Sequence, residues 1–135
     1  MKPYTNVNRE KFPLVTITFT GAAATDENFA AYLDQLKENY RPRERFALVF
    51  DARKAKLPSF AYQRKQADWV KVNEALIAEY CVGTAYVIPG SLIRGILKAI
   101  FRLQKQPCPY VILGSPEEGN AWCQERLRDA GIAYA

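Results

Sequence analysis

Three short apolar runs restrict the fold of this chain more than any other feature. They are residues 46–50 (FALVF), 84–88 (TAYVI) and 109–113 (PYVIL), and long stretches of helical periodicity separate them. A run of four to six apolar residues without polar alternation suits a strand covered on both faces, the situation of a parallel sheet. Between the first two runs, Pro58-Ser59 opens a helix that places Tyr62, Trp69, Val72, Leu76 and Tyr80 on one stripe, with Gly83 just past its end as a C-terminal glycine. Between the second and third, residues 91–103 carry Leu92, Ile93, Ile96, Leu97, Ile100 and Phe101 on a broad apolar face. After the third, Ser115-Pro116-Glu117-Glu118 combines an N-cap, a proline at N1 and a glutamate at N3, and the helix it starts bears Ala121, Trp122 and Leu127.

The N-terminal third repeats the logic. Residues 14–20 (LVTITFT) alternate apolar side chains with threonine and end at Gly21, the pattern of a half-buried strand. Thr25 then precedes Asp26 and Glu27, an N-cap followed by acids in the first turn. Phe29, Tyr32, Leu33 and Leu36 follow at helical spacing until Arg41-Pro42-Arg43 stops the helix. Strand–helix alternation of this kind predicts an α/β fold: one small, mostly parallel sheet covered by about four helices and joined by right-handed crossovers. Residues 3–11 are a candidate antiparallel edge strand, hairpinned to 14–20. With 135 residues and neither an internal repeat nor a linker, the chain reads as a single domain, 1–135.

Composition removes several chemistries. The chain has no histidine, so Ser-His and Cys-His nucleophile pairs and histidine-ligated zinc are excluded. Ser59, Ser91 and Cys108 lack both a nucleophile-elbow context and a base, and the reading is of a protein that is not an enzyme and needs no cofactor. The three cysteines, Cys81, Cys108 and Cys123, are widely spaced and form no CxxC pair, the pattern of reduced, structural thiols. The first twenty residues hold no apolar core of a signal peptide and no run is long enough to span a bilayer, so a cytoplasmic protein is expected.

The net charge of +5 is unevenly placed. Residues 52–67 hold Arg53, Lys54, Lys56, Arg64 and Lys65 and no acid; residues 80–116 hold Arg94, Lys98, Arg102 and Lys105 and no acid. Such windows suit an acidic protein partner or an anionic small molecule, and equally a solvated basic face. Nucleic acid fits poorly, because the strand aromatics Phe50, Tyr86 and Tyr110 lie in apolar runs and no nucleic-acid-binding motif is present.

The order of elements, and the segments VTITFTG, TDENF, FALVFD, GTAYVIPG and SPEEGNAW, resemble the SpoIIAA-like branch of the STAS domains over residues 4–131, and more remotely the CRAL-TRIO lipid-binding domains. The resemblance implies a bacterial, non-enzymatic regulatory module that docks on a partner protein. The family's phosphorylated serine follows a strand-end aspartate. Here Asp51 takes the aspartate's place but Ala52 and Arg53 follow it, which puts a phosphoserine switch in doubt. The remote relatives imply an alternative function, a carrier of a lipid-like or amphipathic ligand in an internal pocket beneath the long second helix.

In an open parallel sheet, ligands bind beyond the carboxyl ends of the strands. Three loops reach that edge, and each brings a serine to a helix start: Ser59, Ser91 and Ser115. Unpaired N–H groups and the helix dipole make such starts attractive to anions, and serine is also an ordinary structural cap. With Asp51, Arg53, Lys54 and Lys56 these serines form the candidate ligand-binding set; Ser59 in particular is expected to cap its helix. Arg94, Lys98 and Arg102 recur at i, i+4 and i+8 with no acid to relieve their repulsion, and form a second candidate, a partner-docking ridge.

Overall fold

The computed structural model describes residues 2–88, 90, 91, 94, 95, 98, 101, 102 and 105–133. Among these, five strands form one sheet in the order β1-β2-β3-β4-β5. They are β1 (Thr5–Asn8), β2 (Leu14–Phe19), β3 (Phe46–Asp51), β4 (Cys81–Val87) and β5 (Tyr110–Leu113). The first pair is antiparallel, with Thr5 opposite Phe19, and every later pair is parallel. The α/β expectation and its antiparallel edge strand are therefore met. The helices are α1 (Asp26–Glu38), α2 (Phe60–Val72), α3 (Glu74–Tyr80) and α4 (Pro116–Asp129). Ser91, Arg94, Gly95, Lys98, Phe101 and Arg102 are helical as well, whereas Leu92, Ile93, Ile96, Leu97 and Ile100 of the expected apolar face lie outside the described residues. No described helix is long and apolar enough to cross a membrane.

Two cores sandwich the sheet. On one face, Phe29, Tyr32 and Leu36 of α1 and Ile77 of α3 pack on Val15, Ile17, Phe46, Leu48 and Phe50. Aromatic rings cross this face from edge to edge. Tyr4 meets Phe19 with ring centroids 5.4 Å apart, Phe50 stacks on Tyr86 at 5.3 Å, and Phe101 bridges Tyr86 and Tyr110 at 5.3 and 5.2 Å. Helices of successive crossovers share a face when the crossovers progress along the sheet with one hand, which suits the sequential strand order. On the other face, among the described residues, α4 sets Cys123 and Leu127 against Leu14, Ala47, Val49, Ala85 and Val87, with Ile132 beside them.

Two glycines permit that close approach. A Cβ on Gly83 would lie 2.8 Å from Trp122 Cζ3 and 2.9 Å from Arg126 Cγ, and one on Gly119 would lie 3.3 Å from Val87 Cγ2. Gly83 is thus a strand residue of β4 kept bare for the Trp122 ring, which corrects its expected role as a helix C-cap.

The expected single helix from Pro58 to Tyr80 is in fact two. Asn73 leaves helical geometry (φ −102°, ψ 14°), and its side-chain amide donates to the Trp69 carbonyl at 2.8 Å. Its Oδ1 accepts from Lys37 of α1, so the break is anchored to a neighbouring helix. The inward stripe is therefore Tyr62, Gln66, Trp69, Val70, Asn73, Leu76, Ile77 and Tyr80, while Val72, expected on it, is 84% exposed.

Candidate functional site at the carboxyl edge of the sheet

Because β2 to β5 are parallel, the segments that follow them meet at one edge. The loop after β3 packs over the turn after β2, where the Lys54 carbonyl would lie 3.3 Å from a Cβ on Gly21. It is tied to β4 through Ala52 N–H, which donates to the Val87 carbonyl at 2.9 Å. Asp51, at the end of β3, is only 7% exposed. Arg53 forks onto it, donating from Nε to Oδ1 at 2.9 Å and from Nη2 to Oδ2 at 2.8 Å, and the Arg53 backbone N–H adds a third bond at 3.2 Å. That fork holds the Asp51 carboxyl below its ordinary range against the opposing effect of burial. Asp51 is accordingly an ionised anchor for its own loop, with both oxygens already engaged.

The three serines differ. Ser115 caps α4: its Oγ accepts the Glu118 N–H at 3.2 Å and donates to Glu118 Oε1 at 3.0 Å. Ser91 is exposed, the first helical residue after Gly90. Ser59 stands at the N-cap of α2 with an extended backbone, but its side chain makes no capping bond, contrary to expectation. The start of α2 is held instead by Gln63, whose Nε2 donates to the Pro58 carbonyl at 2.8 Å and whose N–H reaches the Ser59 carbonyl at 3.0 Å. No acid occupies the first turn of α2, whereas α1 carries Asp26 and Glu27 there and α4 carries Glu117 and Glu118.

Around this start the surface is basic and apolar at once. Arg53, Lys54 and Lys56 are exposed, and so are Arg64 and Lys65 one turn further on. Among them Leu57 is 87% and Phe60 77% exposed. Lys65 pairs with Asp26 at 3.6 Å, and the Tyr62 hydroxyl donates to the same carboxylate at 2.8 Å, which steadies the outer side of α2. The candidate set from the sequence contained Arg53, Lys54 and Lys56 and omitted Arg64, Lys65, Leu57 and Phe60. Their signal was phase: neither falls on the inward stripe of Tyr62, Gln66 and Trp69, yet both are large and apolar.

The second candidate, the ridge, is only partly assembled. Lys98 and Arg102 are exposed, but Arg94 is half-buried and turns back to the sheet, donating from Nη1 to the Ile88 carbonyl at 3.0 Å. Its guanidinium lies against Gly114, so it joins the ends of β4 and β5. The space beneath α2 is filled by Phe29, Tyr32, Phe50, Trp69 and Tyr86. Two open clefts, of about 610 and 590 Å³, lie near the opposite, amino edge of the sheet. Pro13, Arg45 and Ile132 line one, Lys37, Asn73 and Leu76 the other, and neither contains a residue of the candidate set. Among the described residues no group of three His, Cys, Asp or Glu is placed to hold a metal ion.

No family model, curated protein or solved structure matches this chain.

Proposed function

We propose that the chain is a non-catalytic binding and regulatory module of the SpoIIAA-like STAS kind, which recognises an acidic protein partner through the loop 52–59 and the first turns of α2. One observation carries this reading: Leu57 and Phe60 stand 87% and 77% exposed inside an acid-free window with five cations. An exposed Phe and Leu each forgo on the order of 1.5–3 kcal/mol of burial, which a partner surface would recover. Surrounding cations add steering and select against basic surfaces. A small anion is less well served. Asp51 and Arg53 satisfy each other, Ser115 is spent on Glu118, and Arg94 is spent on Ile88. The alternative carrier function draws no support from the aromatic packing beneath α2.

Capture from a lysate of the source cells tests the reading with three baits: wild type, Lys54→Glu/Lys56→Glu and Lys98→Glu. The expected partner is held by wild type and by Lys98→Glu, and is lost with the loop reversal. Its binding also weakens with added salt, since exposed charges are screened beyond about 8–10 Å at physiological ionic strength. A partner that survives the loop reversal and is lost with Lys98→Glu would move recognition to the ridge.

A further inference from the structure

We propose that Cys108 is a site of reversible thiol oxidation and that Cys81 resolves it, closing an intramolecular disulfide between the start of β4 and the entry to β5. The two Sγ atoms lie 3.7 Å apart. The Thr84 hydroxyl sits beside both, 3.4 Å from Cys81 Sγ and 3.5 Å from Cys108 Sγ. Forming the bond requires the sulfurs to approach by roughly 1.7 Å, to the usual 2.05 Å.

This juxtaposition depends on an irregularity in the sheet. Strand residues three apart ordinarily point to opposite faces. Between Phe46↔Cys81 and Ala47↔Gly83 the pairing of β3 with β4 skips a residue, and this bulge lets Cys81 and Thr84 share a face. The Thr84 N–H donates a ladder bond to the Pro109 carbonyl at 2.9 Å, which brings the preceding residue, Cys108, alongside.

The two thiols are not equivalent. Cys81 is buried, 3% exposed, and Cys108 is half-buried at the rim of the core. The Cys81 thiol, with the Thr84 hydroxyl, stabilises a thiolate on Cys108 and brings it below the ordinary thiol range against the opposing effect of burial, while Cys81 itself is held protonated. Cys123 provides an internal contrast: it is fully buried against the Leu48 carbonyl at 3.3 Å, and burial pushes it up to about 12.

The oxidant is a peroxide. The Cys108 thiolate attacks one peroxide oxygen; an S–O bond forms, the O–O bond breaks, and the departing hydroxide takes a proton and leaves as water. Cys81 sulfur then attacks the Cys108 sulfenic acid. The S–S bond forms, the S–O bond breaks, and the hydroxide leaves with the Cys81 proton as a second water. Two thiols lose two electrons and the peroxide gains them.

The test is treatment of the folded protein with hydrogen peroxide at neutral pH, followed by thiol counting and peptide mapping. Wild type is expected to fall from three free thiols to one, with Cys81 linked to Cys108 and Cys123 untouched. Cys81→Ala is expected to stop at a Cys108 sulfenic acid that a cyclic 1,3-diketone traps, and Cys108→Ser is expected to keep both remaining thiols. Alkylation of native wild type by iodoacetamide should rise at Cys108 at a lower pH than at an ordinary cysteine thiol. The midpoint should move upward in Cys81→Ala. Three free thiols after peroxide, a link that forms only in denaturant, or alkylation of Cys108 no faster than Cys123 would each overturn the proposal.

Discussion

Helices α2 and α4 are nearly the same length, 13 and 14 residues, and both begin after a serine, yet the fold holds them very differently. The start of α4 is capped by the Ser115 side chain, Pro116 is its first residue, and Gly119, Cys123 and Leu127 are buried. In α2 the serine makes no cap, the first turn has no acid, and no residue is fully buried. Large apolar side chains on α2 and its approach, Leu57, Phe60 and Val72, face solvent instead. The difference separates scaffold from surface. α4 is spent on closing one face of the sheet, whereas the start of α2 is steadied by Gln63, Tyr62 and Lys65 and leaves its apolar groups outward.

Stability measurements can break that contrast. Leu127→Ala should have the largest effect, about 2–5 kcal/mol in denaturant unfolding, because it opens a cavity beneath α4. Val72→Ala, on the exposed side of α2, should stay within about 0.5 kcal/mol of wild type. Equal losses at the two positions would mean that α2 is packed as α4 is.

Gly83→Ala comes next. Its Cβ would enter the space of the Trp122 ring and the Arg126 stem, and overpacking of this kind costs roughly 1–3 kcal/mol. A neutral result would show that α4 can slide away from β4 freely.

The smallest effect sharpens the comparison at the helix starts. Ser115→Ala should cost about 1 kcal/mol, the usual worth of a side-chain cap, while Ser59→Ala should change thermal stability by no more than about 0.5 kcal/mol. Reversed magnitudes would show that Ser59 does the capping.

The parallel sheet was legible because FALVF, TAYVI and PYVIL carry no polar alternation, and burial on both faces is what that pattern means. The caps Thr25 and Ser115 were legible because each stands before acids in the first turn, and Ser115 also before a glutamate at N3 able to bond back. Ser59 looked the same without such a partner, and the bond that does hold α2 comes from Gln63, a residue type with no fixed place in a cap. The break at Asn73 was hidden because apolar periodicity runs through it, and the side-chain bonds to the Trp69 carbonyl and to Lys37 that hold it appear only in the fold. Gly83 misled because a glycine after a helix and a glycine under a tryptophan are the same letter; the choice belongs to α4, some forty residues later. The ridge of Arg94, Lys98 and Arg102 assumed three outward cations, but the Ile88 carbonyl at a strand end was a better partner for Arg94 than water.

Central to the account is that Leu57 and Phe60 are exposed for recognition and contribute little to the fold. The most direct measurement is made on one variant, Leu57→Ser/Phe60→Ser, whose thermal midpoint and partner capture at low salt are read side by side with wild type. The midpoint is expected to stay unchanged, within the range of ordinary surface substitutions, and capture to fall at least tenfold. A midpoint several degrees lower, or undiminished capture at an unchanged midpoint, would contradict it.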